Sequence, residues 1–273
     1  MMNNSRHPLL IVENLCIGIR GAPNALLVEN VTFTLQKGEI FGITGESGSG
    51  KTLTAMAVCG LLSGPVCVLG GKVVFEGRPL DLEKGNFRGV RHGREMMMLF
   101  QSPYGALDPA MPVGAQISSA LKANDRAVNG RDARRKTTDL METVGLSKKM
   151  YHHYPFQLSG GQRQRVILAM SFGIRPRILF ADEPTSGQDD ANRNHILGLF
   201  DRLRKEEDVS SILISHDIRV FQRLALNMAV MHKGMLVERG ATSMIVANPV
   251  HPHTRSIVEA MRYMENPLQK AFM

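Results

Sequence analysis

Gly45-Glu46-Ser47-Gly48-Ser49-Gly50-Lys51-Thr52 is the stretch that decides the fold. A short apolar run at residues 39–44 reads as a strand leading into it, and residues 51–62 carry apolar side chains at helical spacing. A strand that passes through a glycine-rich turn into a helix is the setting a phosphate-binding loop requires. Three glycines let successive backbone N–H groups converge on phosphate oxygens without Cβ clashes. The helix opening near Lys51 adds the positive end of its dipole. On this reading the ammonium of Lys51 reaches the terminal phosphates and the Thr52 hydroxyl binds Mg²⁺. The bland alternative is a glycine turn without a ligand, and the strand–loop–helix order argues against it.

A second stretch belongs with the first. Ile178-Leu179-Phe180-Ala181-Asp182-Glu183 is four apolar residues ending in two carboxylates. That pattern suits a buried strand delivering acids to the C-terminal edge of an open α/β sheet, where ligands of such sheets bind. Asp182 would hold Mg²⁺, directly or through water, and Glu183 would act as general base on the attacking water. Alone, an apolar run ending in Asp-Glu is weak. Downstream of a phosphate loop it is strong.

The rest of the chain is consistent with one cassette of alternating strands and helices. Residues 9–19 and 26–35 alternate as strands around a turn at Gly21-Ala22-Pro23-Asn24. Short strands are expected at 73–75, 96–100, 178–181 and 211–214, and helices at 161–172 and 191–205. Between residues 102 and 157 helical patterns dominate, punctuated by Pro103, Pro109, Pro112 and Pro155, which reads as an inserted helical subdomain. Strands alternating with helices point to a parallel α/β sheet.

Composition bounds the possibilities. Hydrophobic residues are 43% and charged residues 21% of the 273, which excludes a disordered chain. No apolar run approaches the roughly 20 residues that span a bilayer, and the polar start carries no signal-peptide core. Cys16, Cys59 and Cys67 form no Cys-x-x-Cys pattern, so reduced, structural thiols in the cytosol are expected. The formal net charge of +8 favours an anionic partner without choosing among nucleotide, lipid and nucleic acid. Trp is absent and aromatics are 5%, so the basic-aromatic interleaving that stacks bases is missing.

Leu158-Ser159-Gly160-Gly161-Gln162 is more restrictive than either site motif. Ser159 offers a hydroxyl, and two glycines leave N–H groups open at a helix N-terminus, which makes an anion site. A chain with its own phosphate loop has no evident need of a second one. With this pentapeptide added, the sequence resembles the ATP-binding cassette family over nearly its whole length. The resemblance implies a P-loop α/β core (residues 1–101 and 158–250), an antiparallel β subdomain, a helical subdomain (102–157) and a C-terminal helical tail (251–273).

It also implies roles residue by residue. Residues Gly45, Glu46, Ser47, Gly48, Ser49, Gly50, Lys51 and Thr52 bind ATP, and Thr52, Gln101 and Asp182 hold Mg²⁺. Gln101 matches the Q-loop glutamine, Glu183 the general base, and His216 the switch histidine on the γ-phosphate; Lys51 completes the catalytic set. Ser159, Gly160, Gly161 and Gln162, with Asp189 of the D-loop (Ser186-Gly187-Gln188-Asp189), meet the ATP of a second, identical or paralogous subunit. ATP then holds the dimer together and hydrolysis releases it.

Two departures stand out. No Phe, Tyr or Trp lies between residues 9 and 32 to stack on adenine, which leaves Ile19 or Arg20 to cover the base and predicts weak base selectivity. Gln188 occupies a D-loop position where an apolar residue is common.

Phe100-Gln101-Ser102-Pro103 with Ala106-Leu107-Asp108-Pro109, and Asn248-Pro249-Val250-His251-Pro252-His253-Thr254-Arg255, resemble the oligopeptide, dipeptide and nickel uptake branch. The cysteine-rich tail of many peptide-type members is missing after Met261, which leans mildly towards nickel or metallophore uptake. The expected protein is therefore an ATP-hydrolysing importer subunit, peripheral on the cytoplasmic face of the cell membrane. Its partners would be two membrane permease subunits and, indirectly, an extracytoplasmic solute-binding protein. His251 and His253 invite a nickel-ligand reading, which is set aside because cargo passes through the membrane subunits and peptide transporters share the motif. The run Met96-Met97-Met98 is read as core strand. The alternative, a soluble cassette ATPase acting on nucleic acid, lacks the coiled-coil or zinc insertions, or the second cassette, that such proteins carry.

Overall fold

The computed structural model describes residues 7–82, 93–101, 105–124 and 130–265. They form two units, residues 1–90 with 212–273, and residues 91–211. Ser102 and Pro103, part of the stretch that suggested the transporter branch, lie outside the described residues.

The first unit holds two sheets. β1 (Leu10–Ile19), β2 (Ala22–Leu35), β4 (Val66–Phe75) and β5 (Arg78–Leu80) form an antiparallel sheet in the order β2-β1-β4-β5. β1 buries Leu10, Val12, Leu15 and Ile17 completely; the two-residue alternation slips by one between Val12 and Leu15, where the pairing with β2 shifts register. The β1–β2 turn is tighter than expected. Ile19 pairs with Ala22, so only Arg20 and Gly21 turn the chain, with Gly21 at φ 82°. Pro23 therefore belongs to β2, and because β2 is an edge strand the missing N–H is tolerated. β4 starts at Val66 and not at Val73. Its Gly71, at φ 106°, sits where a Cβ would lie 2.6 Å from the Leu15 Cα, so a close backbone approach hides the strand from a pattern reading.

The second sheet of this unit runs β10-β9-β3-β8, with β3 at Ile40–Gly45, β8 at Ser210–Ile214, β9 at Asn227–His232 and β10 at Met235–Ala241. β3 and β9 are parallel, in a register from Phe41↔Asn227 to Gly45↔Met231. β3 is buried along its whole length, as expected of a parallel strand. α1 (Lys51–Val58) is shorter than the 51–62 expected, because Cys59 caps it and Gly60 turns away at φ 67°. α6 (Ile218–Leu224), α7 (Thr242–Ala247) and α8 (Pro252–Glu265) complete the unit.

The second unit pairs β6 (Met96–Leu99) with β7 (Ile178–Asp182) in parallel, Met96↔Ile178 to Leu99↔Ala181. All three methionines lie in this strand as expected, but only Met96 is buried in the core; Met97 and Met98 are half-buried. Four helices accompany the pair: α2 (Val113–Asn124), α3 (Gly130–Thr143), α4 (Gly160–Ile174) and α5 (Asp190–Glu207). α3 buries Ala133, Thr137 and Met141 at four-residue spacing and leaves its basic residues to solvent. α2 packs on α3 and α4 through Val113, Ile117 and Ala120. Arg134 lies 4.7 Å above the Tyr151 ring, a cation–π contact that fastens α3 to the short 3-10 turn at Lys148–His152.

Candidate functional site

The phosphate loop is built as its sequence demands. Gly45, at φ 146°, has its Cα so close to the Met231 carbonyl that a Cβ would lie 2.1 Å from that oxygen. Gly50, at φ 101°, is the N-cap of α1. The loop is pinned from outside, since Gly234 donates its N–H to the Ser49 carbonyl at 3.1 Å. Lys51 is 8% exposed, and its ammonium donates to the carbonyls of Gly45 (2.8 Å) and Glu46 (2.7 Å) and to the Ser49 hydroxyl (3.4 Å). A buried ammonium needs such partners. The lysine is thus folded onto its own loop, in contacts that phosphate oxygens can replace. Glu46, Ser47 and Gly48 are exposed at the rim, and Thr52 follows on the first turn of α1.

His216 lies just past β8 and is exposed. Its neighbours are fixed. Ser215 donates its N–H to the Ile43 carbonyl at 3.1 Å, which ties this turn to β3, and the Ser215 hydroxyl accepts the Asp217 N–H at 3.1 Å.

The second unit brings several of the remaining predicted residues, though not Asp182 or Asp189, to the lining of a cleft of about 580 Å³. Its lining includes Gln101, Ser159, Gly160, Gly161, Glu183 and Gln188. Asp182 ends β7 and is 6% exposed. Glu183 follows it at φ 49°. A non-glycine residue in this left-handed region costs on the order of 1 kcal/mol or more, and such strain concentrates where a side chain must be aimed. The turn is closed by Ser186, whose N–H donates to the Glu183 carbonyl at 3.1 Å.

Ser159 is the N-cap of α4. Its hydroxyl oxygen accepts the Gln162 N–H at 3.3 Å, and the Gln162 amide oxygen accepts the Ser159 N–H at 3.0 Å. This reciprocal capping box frees the hydroxyl proton of Ser159 for a ligand and leaves Gly160 without a neighbour where a Cβ would stand. Asp189 caps α5 in the same manner, accepting the Asn192 N–H at 2.8 Å. That bond from Asn192 is the main reason the Asp189 carboxyl titrates below the usual carboxylate range, against a smaller opposing effect of burial.

Three features here escape a sequence reading. Gln188 fills space beside the signature: its amide nitrogen donates to Gln164 at 3.4 Å, and its side chain lies 3.1 Å from where a Gly161 Cβ would be. An apolar residue there makes no such bond. Gln164, from α4, donates to the Pro184 carbonyl, directly after the candidate base. Arg165 bridges the Gly145 carbonyl (3.0 Å) and the Asn192 side chain. Of the two residues expected to cover the base, Arg20 is exposed at the β1–β2 turn, with its backbone N–H donated to the Pro65 carbonyl at 2.7 Å, and Ile19 beside it is half-buried.

Comparison with known proteins agrees with this layout. Residues 28–186 match the family model described as ABC transporter. The peptidoglycan transport ATP-binding protein YejF of Agrobacterium fabrum is 36% identical over 98% of the chain, which spans 50% of that relative's length. The dipeptide transport ATP-binding protein DppD of Lactococcus lactis is 35% identical over 96% of the chain and 76% of its own length. In fold, the chain superposes with a TM-score of 0.73 at 23% identity on a dimeric ATP-binding cassette solved in a post-hydrolysis state with ADP and phosphate; the match covers 85% of this chain and 98% of that one. A phosphate loop on β3, acids at the end of β7 and a capped signature helix, together with these matches, place the chain in the ATP-binding cassette transporter family, as one of its ATPases.

Proposed function

We propose that the chain is the ATP-hydrolysing subunit of an importer and that it works as a head-to-tail dimer with an identical or paralogous cassette. The observation that carries this is the surplus anion site. The N-terminus of α4, with Ser159, Gly160 and Gly161, opens into a cleft that also holds Glu183 and Gln101, while the chain has a complete phosphate loop of its own. A second subunit's ATP is the occupant that gives the surplus a purpose.

Within that reading the roles are specific. The backbone N–H groups of the phosphate loop and the Lys51 ammonium hold the phosphates, Lys51 giving up its bonds to Gly45 and Glu46 for the more highly charged oxygens. Gln101 orients the water, Glu183 takes its proton and His216 contacts the γ-phosphate. Thr52, Gln101 and Asp182 would offer Mg²⁺ hydroxyl, amide and carboxylate oxygens, a donor chemistry that suits it, and the ion would supply charge neutralisation on the phosphates. Ser159 and the N–H groups of Gly160 and Gly161 meet the opposing γ-phosphate, with Gln162 and Asp189 shaping the contact.

The relatives named for dipeptide and peptidoglycan transport favour a peptide-like cargo over nickel. Among the described residues no helix is long and apolar enough to cross a membrane; in the proposed importer the permeation path belongs to partner permease subunits. The cassette would dock on them from the cytoplasmic face, with an extracytoplasmic binding protein delivering the solute. No observation favours a nucleic-acid substrate. Glu183→Gln tests the reading: with ATP and Mg²⁺ it should bind nucleotide, lose turnover by at least about 10²-fold and double in mass by light scattering. If it stays monomeric alone and with its paralogue, the sandwich is wrong.

A further inference from the structure

The register that builds the phosphate loop also builds a cluster of side chains; the ATPase reading uses the Glu46 backbone but neither its carboxylate nor the two histidines beside it. β3 and β9 are parallel, with Gly45 opposite Met231, so the next residue of each strand, Glu46 and His232, falls side by side. His253 joins them from the first turn of α8. Its Nδ1 lies 3.7 Å from one Glu46 carboxylate oxygen, and the His232 Nδ1 lies 4.0 Å from the other. The two imidazole rings are 4.1 Å apart at their centroids, and one ligand atom from each of the three residues lies within 4.8 Å of the others.

Several features make this more than proximity. The His253 side chain is only 9% exposed, and the His232 Nδ1, the nitrogen that faces Glu46, is buried without a hydrogen-bond partner; the His253 Nε2 is also buried and unpartnered, although its Nδ1 is the nitrogen that faces Glu46. Orphaned buried nitrogens are costly and call for an explanation. Burial is the first cause holding the His253 ring below the ordinary histidine range, and the neighbouring His232 adds to it, against the pull of Glu46. The ring is therefore kept neutral, the form that ligates metals. The segment carrying His253 is held in place. Glu238 on β10 accepts the N–H groups of Val250 (3.0 Å) and His251 (2.9 Å), and the His251 Nδ1 accepts the His253 N–H at 3.2 Å. Bonds of about 2.1 Å to a tetrahedral ion place ligand atoms roughly 3.4 Å apart; the observed 3.7 and 4.0 Å run to the two different Glu46 oxygens, and one atom from each residue lies within 4.8 Å of the others, so the three side chains must draw together to seat an ion. Glu46, with 66% of its side chain exposed, is free to move.

We propose that Glu46, His232 and His253 form a binding site for a divalent transition-metal ion of the zinc or nickel type. Two imidazoles and a carboxylate select such an ion over Mg²⁺, which prefers oxygen alone. The ion is resident and not cargo. Because the Glu46 carbonyl also accepts from Lys51, it fastens the rim of the phosphate loop to the first turn of α8. The set differs from the two-histidine reading that the sequence invites: His251 serves as an acceptor behind the site, and Glu46 and His232 come from distant parts of the chain.

The site is testable on the intact, nucleotide-free protein after stripping with a chelator. Zn²⁺ affinity is measured by competition with a colorimetric chelator, and Co²⁺ substitution by its visible d–d bands. The wild type should hold one ion that His232→Gln and His253→Gln each weaken tenfold or more, while His152→Gln does not. Wild-type Tm should rise with Zn²⁺ and stay unchanged with equimolar Mg²⁺. Circular dichroism identifies variants that fail to fold, and for those the wild-type Co²⁺ bands and Tm shift decide. Equal affinity in the wild type and a folded double variant, or no Tm shift and no d–d bands in the wild type, overturns the site.

Discussion

Ser159 caps α4 in this structure and, in the proposed dimer, would also meet a γ-phosphate; two substitutions separate these roles. As N-cap of α4 it accepts the Gln162 N–H, while Gln162 returns a bond to its backbone. Losing an N-cap hydroxyl costs about 1 kcal/mol. The site is exposed, the accepted bond is 3.3 Å long and the return bond survives, so Ser159→Ala should fall at the low end, about 0.5–1 kcal/mol. For a chain of this size that lowers Tm by about 1–3 °C. Ser159→Asp keeps an oxygen acceptor and adds a negative charge at the positive end of the helix, a gain of about 0.3–1 kcal/mol. It should melt at or slightly above the wild type. In hydrolysis the order reverses. A carboxylate aimed at a γ-phosphate replaces a donor with a like charge, so Ser159→Asp should lose at least about 10²-fold in phosphate release, more than Ser159→Ala. Scanning calorimetry without nucleotide and a phosphate-release assay read the two effects. If Ser159→Asp melts as low as Ser159→Ala, the cap is not the source of stability. If it hydrolyses ATP at the wild-type rate, no phosphate approaches Ser159.

Three further outcomes follow from other residues. Gly45→Ala drives a Cβ into the Met231 carbonyl, so nucleotide binding should be lost and Tm should fall by several degrees, for a cost of about 1–3 kcal/mol; unchanged ATP affinity by fluorescence titration would show that the loop is softer than drawn. Burial pushes the Cys59 thiol far above the ordinary range, whereas Cys16 and Cys67 are only half-buried; a thiol reagent should label two of the three cysteines in the native protein and the third only after unfolding. With no aromatic residue between residues 9 and 32 to stack on the base, ATP and GTP should compete within about threefold for the isolated chain, and an ATP preference above about thirtyfold would require a base contact elsewhere.

The parts of the fold legible in the sequence are those set by local pattern. The glycine loop between β3 and α1, the apolar run ending in Asp182 and Glu183, and the Ser159 cap are each encoded within a few residues. What stayed hidden depends on partners far along the chain. β4 is interrupted by Gly70 and Gly71, and only the pairing with β1 explains why a glycine must stand there. α1 ends early because Gly60 turns, which helical spacing alone does not reveal. Gln188 looked anomalous as a sequence letter and becomes ordinary once Gln164 is seen beside it. His232 carried no signal at all until the β3–β9 register set it next to Glu46.

The bond from Gln164 to the Pro184 carbonyl has a mechanical meaning. The arm that would touch a neighbour's nucleotide is latched to the peptide just after this subunit's own base. Gln188, bonded to Gln164 above Gly161, makes a second latch on the same arm. If two such chains face each other as proposed, they would behave as interlocked escapements: neither could register the other's fuel without shifting the part that burns its own.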